Sequence, residues 1–450
     1  MLEASRRAIA GAAVCALVVF GWTPRAGAAD PWAIPAEGSC AEAVIVAPGA
    51  DAAPAPFRVG EVLGAEKAAV LQAFVPEELW ANRERFFYEG MHLEIGPCFR
   101  DYAPPAFFAQ ATERFRGQAR LSPDGALEKY SAGLPFPPDT IDPADPRAGL
   151  RWAWNWVSRY QAGGSFGDFR ISLLSRDLQQ RFTGSFFFVP LAGRTDREAD
   201  GWRYPAPYTS SWVAGGESTN ADTSETCKFR QYATGARQPD YFVWHGAARK
   251  IRRVTVRDSE FALTACLADA SIGDGLFLHG ESPALHDWKV IGVRDVLAPI
   301  NARLPAYPTD GERGFGPAGV SFADDRWELR RAIVIEGRFK EGAFGDGVRR
   351  YIWYLDLQTL FPLYYAAYRD AGTQGGLGYF VGRWSEDRPD YPRWPDDPAR
   401  PVRVLDQVGT ALIDWNNQDS VRTEYWKAVS VPVDEKKLVR SMSQSSLRGR

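Results

Sequence analysis

Few side chains in this sequence are arranged to do covalent chemistry. The 450 residues hold 4 histidines: His92, His245, His279 and His286. Of these, His279 and His286 stand near acids, with Asp274, Glu281 and Asp287 in the run DGLFLHGESPALHD. That run lacks the HExxH spacing that sets two imidazoles on one helix face, so it reads as a polar loop rather than a metal site. No GxSxG and no cysteine–histidine arrangement marks an activated nucleophile. Glu336 and Asp356, on neighbouring strands, are the carboxylates with the look of a glycosidase pair. Cross-strand pairing with Arg338, Arg349 or Arg350 accounts for them more simply. Arg249, Lys250, Arg252, Arg253 and Arg257 in HGAARKIRRVTVRD would suit an anionic headgroup or an acidic partner; a solvated outer face explains them more simply. The reading is therefore of a protein that is not an enzyme, with no catalytic residues, no metal and no cofactor.

Binding is better served. The chain has 16 tryptophans among 13 % aromatic residues. Each large aromatic side chain removes about 150–250 Å² from water, on the order of 4–6 kcal/mol at ~25 cal/mol per Å². Trp152, Trp156, Phe186, Phe188, Trp244, Trp353 and Phe380 are the candidates for lining a lipid-sized cavity, with plain core packing as the competing role for each.

The elements that position them follow from the pattern. RWAWNWVSRY alternates like a strand, but its flanks are those of a helix. Asp145 is suited to an N-cap and Pro146 to the first turn, Gly163 and Gly164 form a stop, and Ala153, Trp156, Val157 and Tyr160 recur at three and four. The spacing predicts a helix from about Pro146 to Gln161, apolar around more than half its circumference and so enclosed by other elements. Shorter helices are expected over Val75–Glu89 and from about Ala106 to Phe115. From Phe166 onward, FRISLLS, GSFFFVP, DYFVWHG, IRRVTVR, DWKVIGVRDVL, RAIVIEGRF, RRYIWYLDL, PLYYAAYRD, GLGYFVGRW and EYWKAVSVPV read as strands bounded by Gly, Pro and Asp. Tyr351–Asp356, Pro362–Arg369 and Gly376–Trp384 form an antiparallel meander. No run of βαβ units and no GxGxxG is present. The expected fold class is α+β: a large antiparallel sheet that curls into an incomplete barrel, with N-terminal helices packed across its concave side.

The N-terminus has the form of a secretory signal. Arg6 and Arg7 precede an apolar run from Ala8 to Trp22, and Ala26, Gly27, Ala28 and Ala29 offer a small-residue cleavage site. Residues 1–28 are taken as the signal, 29–79 as an irregular lead-in, and 80–450 as a single domain with an insertion near 195–238. Loss of the signal shifts the net charge from −3 to −5, because it removes three arginines and one glutamate. That balance argues against nucleic acid as a partner. Cys40, Cys98, Cys227 and Cys266 then remain. An even count in an exported chain favours disulfides, and of the three pairings Cys40–Cys98 with Cys227–Cys266 joins sequence neighbours.

Several short pieces together resemble a large family of exported proteobacterial proteins catalogued as a domain of unknown function and sometimes labelled outer-membrane lipoprotein-sorting proteins. They are Ala111–Thr112, GLPFP at Gly133–Pro137, Trp154–Asn155 with Arg159–Tyr160, Arg252–Val254, Trp288–Gly292, Arg326–Glu328, Val334–Glu336 and Tyr354–Asp356. The resemblance covers roughly residues 80–430. It implies an enlarged relative of the LolA and LolB lipoprotein carriers, with an unclosed barrel whose apolar interior holds acyl chains. It brings no catalytic residues. The sequence departs from the family at Arg330 and over Gly201–Lys228. The expected function is a periplasmic carrier or chaperone for a lipid or other hydrophobic molecule, with an envelope transporter or outer-membrane protein as partner. The alternatives are an envelope hydrolase acting on lipid or glycan, and a structural subunit of an envelope complex that docks through its sheet edge.

Overall fold

The computed structural model describes residues 32–40, 57–174, 179–193, 208–220, 223–234, 240–246, 248–254, 282–303, 314–340, 350–369, 374–394, 397–414, 419–430, 436, 438 and 442–448. The N-terminal part is made of short elements: β1 (Val62–Leu63), a 3-10 segment (Ala65–Phe74), α1 (Glu77–Ala81), β2 (Leu93–Ile95), α2 (Ala106–Arg114), β3 (Arg120–Leu121), β4 (Leu127–Glu128) and α3 (Ala148–Val157). Long strands follow: β5 (Ser165–Leu174), β6 (Gln179–Pro190), β7 (Tyr208–Asn220), β8 (Thr223–Thr234), β9 (Asp240–His245) and β10 (Lys250–Val254). A second series comprises β11 (His286–Ala298), β12 (Arg326–Phe339), β13 (Arg350–Asp356), β14 (Pro362–Tyr368), β15 (Gln374–Trp384), β16 (Leu405–Asp414) and β17 (Asp419–Ser430).

Among the described residues, 15 strands form one sheet. Each series is an antiparallel meander in chain order, β5 to β10 and β11 to β17, and the two join where β17 pairs antiparallel with β5. β2 adds a parallel pairing, against Arg326 and Trp327 at the start of β12, which makes the sheet mixed. The strand order does not return on itself, so the sheet is not closed.

Register sorts the side chains into two faces, because successive residues of a strand point to opposite sides. Trp288 lies opposite Gly337, which lies opposite Tyr351; Ile335 lies opposite Trp353, which lies opposite Tyr365. Farther along, Phe380 faces Thr410, Thr423 faces Ile171, and Ile171 faces Phe182. This first face is rich in rings and carries α3: Trp156 stands 4.7 Å from Trp353 between ring centroids. Gly149 of α3 lies so near β11 that a Cβ there would sit 2.6 Å from the Lys289 amide nitrogen. The second face holds Tyr379, packed edge-on against Phe86 and Phe322, together with a set of buried charges.

Several expectations shift in detail. α3 runs over Ala148–Val157, because Asp145 acts one step earlier: its side chain accepts from the Arg147 amide at 2.7 Å, and the helix opens after that turn. The helix expected over Val75–Glu89 divides into α1 and a 3-10 turn at Arg83–Arg85. Asn82 lies at the break, where its side-chain amide donates to the Glu78 carbonyl at 2.9 Å, a local bond that competes with helix propagation. Within the stretch 195–238, residues 208–220 and 223–234 are strands of the sheet. β16 is a further strand that the periodicity did not single out. Cys40 and Cys98 form a disulfide. Cys266 lies outside the described residues, as do the proposed signal, His279, Glu281, Asp274, Arg257 and Arg349.

Candidate functional site

A cavity of about 140 Å³ opens between α3, its C-terminal tail and the ring-rich face of the sheet. Phe108 of α2, Leu134 of the GLPFP loop, Pro138 just after it, and Trp152 of α3 line one side. Phe186 and Phe188 of β6, Tyr425 of β17, Leu360 and Phe361 of the β13–β14 turn, and Trp384 of β15 line the other. The local reasons are plain. Phe186 and Phe188 alternate along β6, so both project from the same face. GLPFP is held in place by Asn155, whose side chain accepts from the Phe136 amide at 3.0 Å and donates to the Phe136 carbonyl at 2.5 Å. Gly133 has φ +75°, and a Cβ there would meet the Thr112 backbone at 2.4 Å, so the loop lies directly on α2.

Three charged side chains reach this lining. Asp406 is buried, accepts from Ser430 Oγ at 2.6 Å and pairs with Arg388 at 3.0 Å. Burial pushes its pKa up to about 6. Arg403 stands 3.4 Å from Glu386 and 3.7 Å from Asp101. Arg159, half-buried, has no carboxylate partner among the described residues. It donates to the Trp156 carbonyl at 3.0 Å, and with the Gln161 amide oxygen turned toward it, Gln161 accepts at 3.0 and 3.3 Å. Desolvation in the cavity lining lowers the Arg159 guanidinium to about 9, which leaves it cationic at neutral pH. The Trp152 indole Nε1 is buried and has no hydrogen-bond acceptor among the described residues.

Of the seven side chains singled out in the sequence, Trp152, Phe186 and Phe188 come together at the cavity. Trp156, Trp353 and Phe380 share its sheet face but lie in the packed core, with Trp353 stacked 5.0 Å from Tyr365 and 6.1 Å from Phe380. Trp244 belongs elsewhere: register aligns it with Lys228, Gly215 and Ser185, on the face opposite Phe186. There it packs in a small separate cluster. Leu360, Trp384, Arg403, Asp406 and Tyr425 carry no sequence motif, and Arg159 stands out only as part of the family resemblance; these residues come from separate stretches of chain that only the fold brings to one lining.

The carboxylates weighed for catalysis are held by arginines. Glu336 accepts from Arg338 at 2.7 Å and Arg350 at 3.1 Å, and Asp356 from Arg330 at 2.7 Å. Glu336 lies opposite Ile352 while Asp356 lies opposite Ala332. Four residues of strand separate them, about 13 Å at ~3.3 Å per residue, beyond the ~5–9.5 Å of glycosidase pairs. His286 is buried against Phe339 and Trp288.

Residues 81–374 match the family model described as protein of unknown function, DUF1329. The chain belongs to the DUF1329 family. Its matched region runs from α1 to the start of β15, so it holds α3 and most of the cavity lining. Among solved structures, this family member is similar to a DUF1329 protein from Desulfovibrio piger, at 10 % identity over 68 % of this chain and 99 % of that one, with TM-score 0.43. It is also similar to an outer-membrane lipoprotein-sorting protein domain, so designated, from Vibrio parahaemolyticus, at 10 % identity over 68 % and 100 %, with TM-score 0.40. A LolA superfamily protein from Nitrosomonas europaea aligns at 7 % identity over 64 % and 94 %, with TM-score 0.33. No curated protein matches the chain. Among the described residues no helix is long and apolar enough to cross a membrane.

Proposed function

We propose that this DUF1329 protein is a periplasmic carrier or chaperone that holds a hydrophobic molecule, a lipid or acyl chain, between α3 and the ring-rich face of its sheet. Export by cleavage of residues 1–28 would place it in the envelope, where a transporter or outer-membrane protein is the natural donor or acceptor of cargo. One observation carries the reading: the cavity of about 140 Å³ is lined mainly by apolar side chains supplied by separate elements. Interiors normally pack without voids of that size. An apolar cavity of about 150 Å³ can bind a ligand the size of benzene, so this one suits a ring or a short stretch of chain.

The test is uptake of the uncharged probe N-phenyl-1-naphthylamine by delipidated protein. Saturable fluorescence enhancement is expected, weakened at least about tenfold in Phe186→Glu because a charge would enter the apolar lining. Thermal melts establish that the variant is folded. Absence of saturable uptake by the wild type would overturn the reading. Mass spectrometry of lipid retained through native purification then identifies the cargo.

A further inference from the structure

The cavity lining is apolar but electrically unbalanced. Asp406 is matched by Arg388, and Arg403 by Glu386 and Asp101. Arg159 has only neutral acceptors, the Trp156 carbonyl and the Gln161 amide oxygen. One guanidinium charge therefore faces the cavity without a counterion among the described residues. A cation drawn out of water without an anion is costly, and an anionic oxygen is the group that relieves the cost. Arginine also offers a planar fork of donors that fits a carboxylate or phosphate. Trp152 adds an indole N–H, without an acceptor, from the same lining.

We propose that the cargo is an anionic amphiphile whose carboxylate or phosphate head pairs with Arg159, while its apolar part lies against Trp152, Phe186 and Phe188. This rests on the carrier reading and adds its polarity: the head sits at the C-terminal tail of α3 and the chain on the sheet.

Binding of octanoate, octyl phosphate, octanol and octylammonium to delipidated protein, measured by displacement of N-phenyl-1-naphthylamine, tests it. The wild type is expected to prefer at least one of the two anions over octanol by roughly tenfold and to bind octylammonium more weakly than octanol. The better of octanoate and octyl phosphate tells a fatty acid from a phosphate-headed lipid. In Arg159→Gln the anion-to-octanol ratio should fall to near one, and Arg159→Lys should keep most of it. Equal binding of octanol and both anions by the wild type, or a preference that survives in Arg159→Gln, would overturn the assignment of the head site while leaving the carrier reading standing. If the uncharged probe and all four ligands fail to bind the wild type, the carrier reading falls and this assignment with it.

Discussion

His286 begins β11 with its ring centroid 4.1 Å from that of Phe339 and 5.4 Å from that of Trp288. Burial lowers its pKa to about 3, with Lys340 adding to the effect. The ordinary value is ~6.5, so below that pH the unfolded chain takes up a proton that the folded chain refuses. The stability His286 contributes is therefore complete above pH ~6.5 and declines toward pH 3, at up to about 1.4 kcal/mol per pH unit. Asp406, pushed up to about 6 by burial, runs the other way: its contribution is full below ~3.8 and lost as pH rises through 6. The difference between wild type and His286→Phe isolates the histidine. Urea unfolding should show the wild type losing about 1–2 kcal/mol relative to the variant between pH 7 and pH 5. Parallel stability curves would mean that the ring titrates normally.

At the scale of the element, α3 owes its place to one glycine. A Cβ on Gly149 would lie 2.6 Å from Lys289 N and 2.7 Å from Trp288 C, both backbone atoms that cannot swing aside. Gly→Ala inside a helix ordinarily gains ~1 kcal/mol from propensity. Here overpacking should reverse the sign, so that Gly149→Ala destabilises by about 1–3 kcal/mol and weakens probe uptake as α3 lifts from β11. A higher melting temperature in the variant would show that the contact is loose. The flanks of α3 and the alternation of β12 to β15 were readable in the sequence because both express local physics: cap and stop residues, and a period of two. β7, with SSWVAGGEST, and β8, with TSETCKFRQ, were not read as strands, since their small and polar residues match a solvated loop just as well. In β16 the apolar alternation is broken by Gly409, where Phe322 approaches the missing side chain at 2.9 Å. The division of the aromatic set between cavity and core was equally hidden. Phe186 and Phe380 project from one face of one sheet, and only the position of α3 and the β13–β14 turn decides which of them borders a space.

At the scale of the whole molecule, the two meanders are joined strand to strand, among the described residues, at one seam, the antiparallel pairing of β5 with β17. No local pattern announces that seam: Arg170 and Glu424 are opposed across it although 254 residues apart in sequence. The seam places charges in the interior. Glu424 is fully buried and accepts from Arg170 at 2.6 and 2.9 Å and from Arg422 at 3.3 Å. Arg422 also lies over the Phe315 ring at 3.6 Å, so the same cluster ties the seam to the cover of the second face. A buried pair of this kind adds little net stability over an apolar filling, but removing one partner strands the other, at a cost of about 3–5 kcal/mol. Glu424→Gln keeps the shape and takes away the carboxylate that Arg170 and Arg422 share. The variant should therefore lose about that much stability in urea. Hydrogen exchange should locate the loss, with amides of β5 and β17 opening first while β12 to β14 stay protected, because the meanders would part along the seam before either unravels. Uniform loss of protection across all strands would show instead that the sheet unfolds as one cooperative unit, with the seam no weaker than its other pairings.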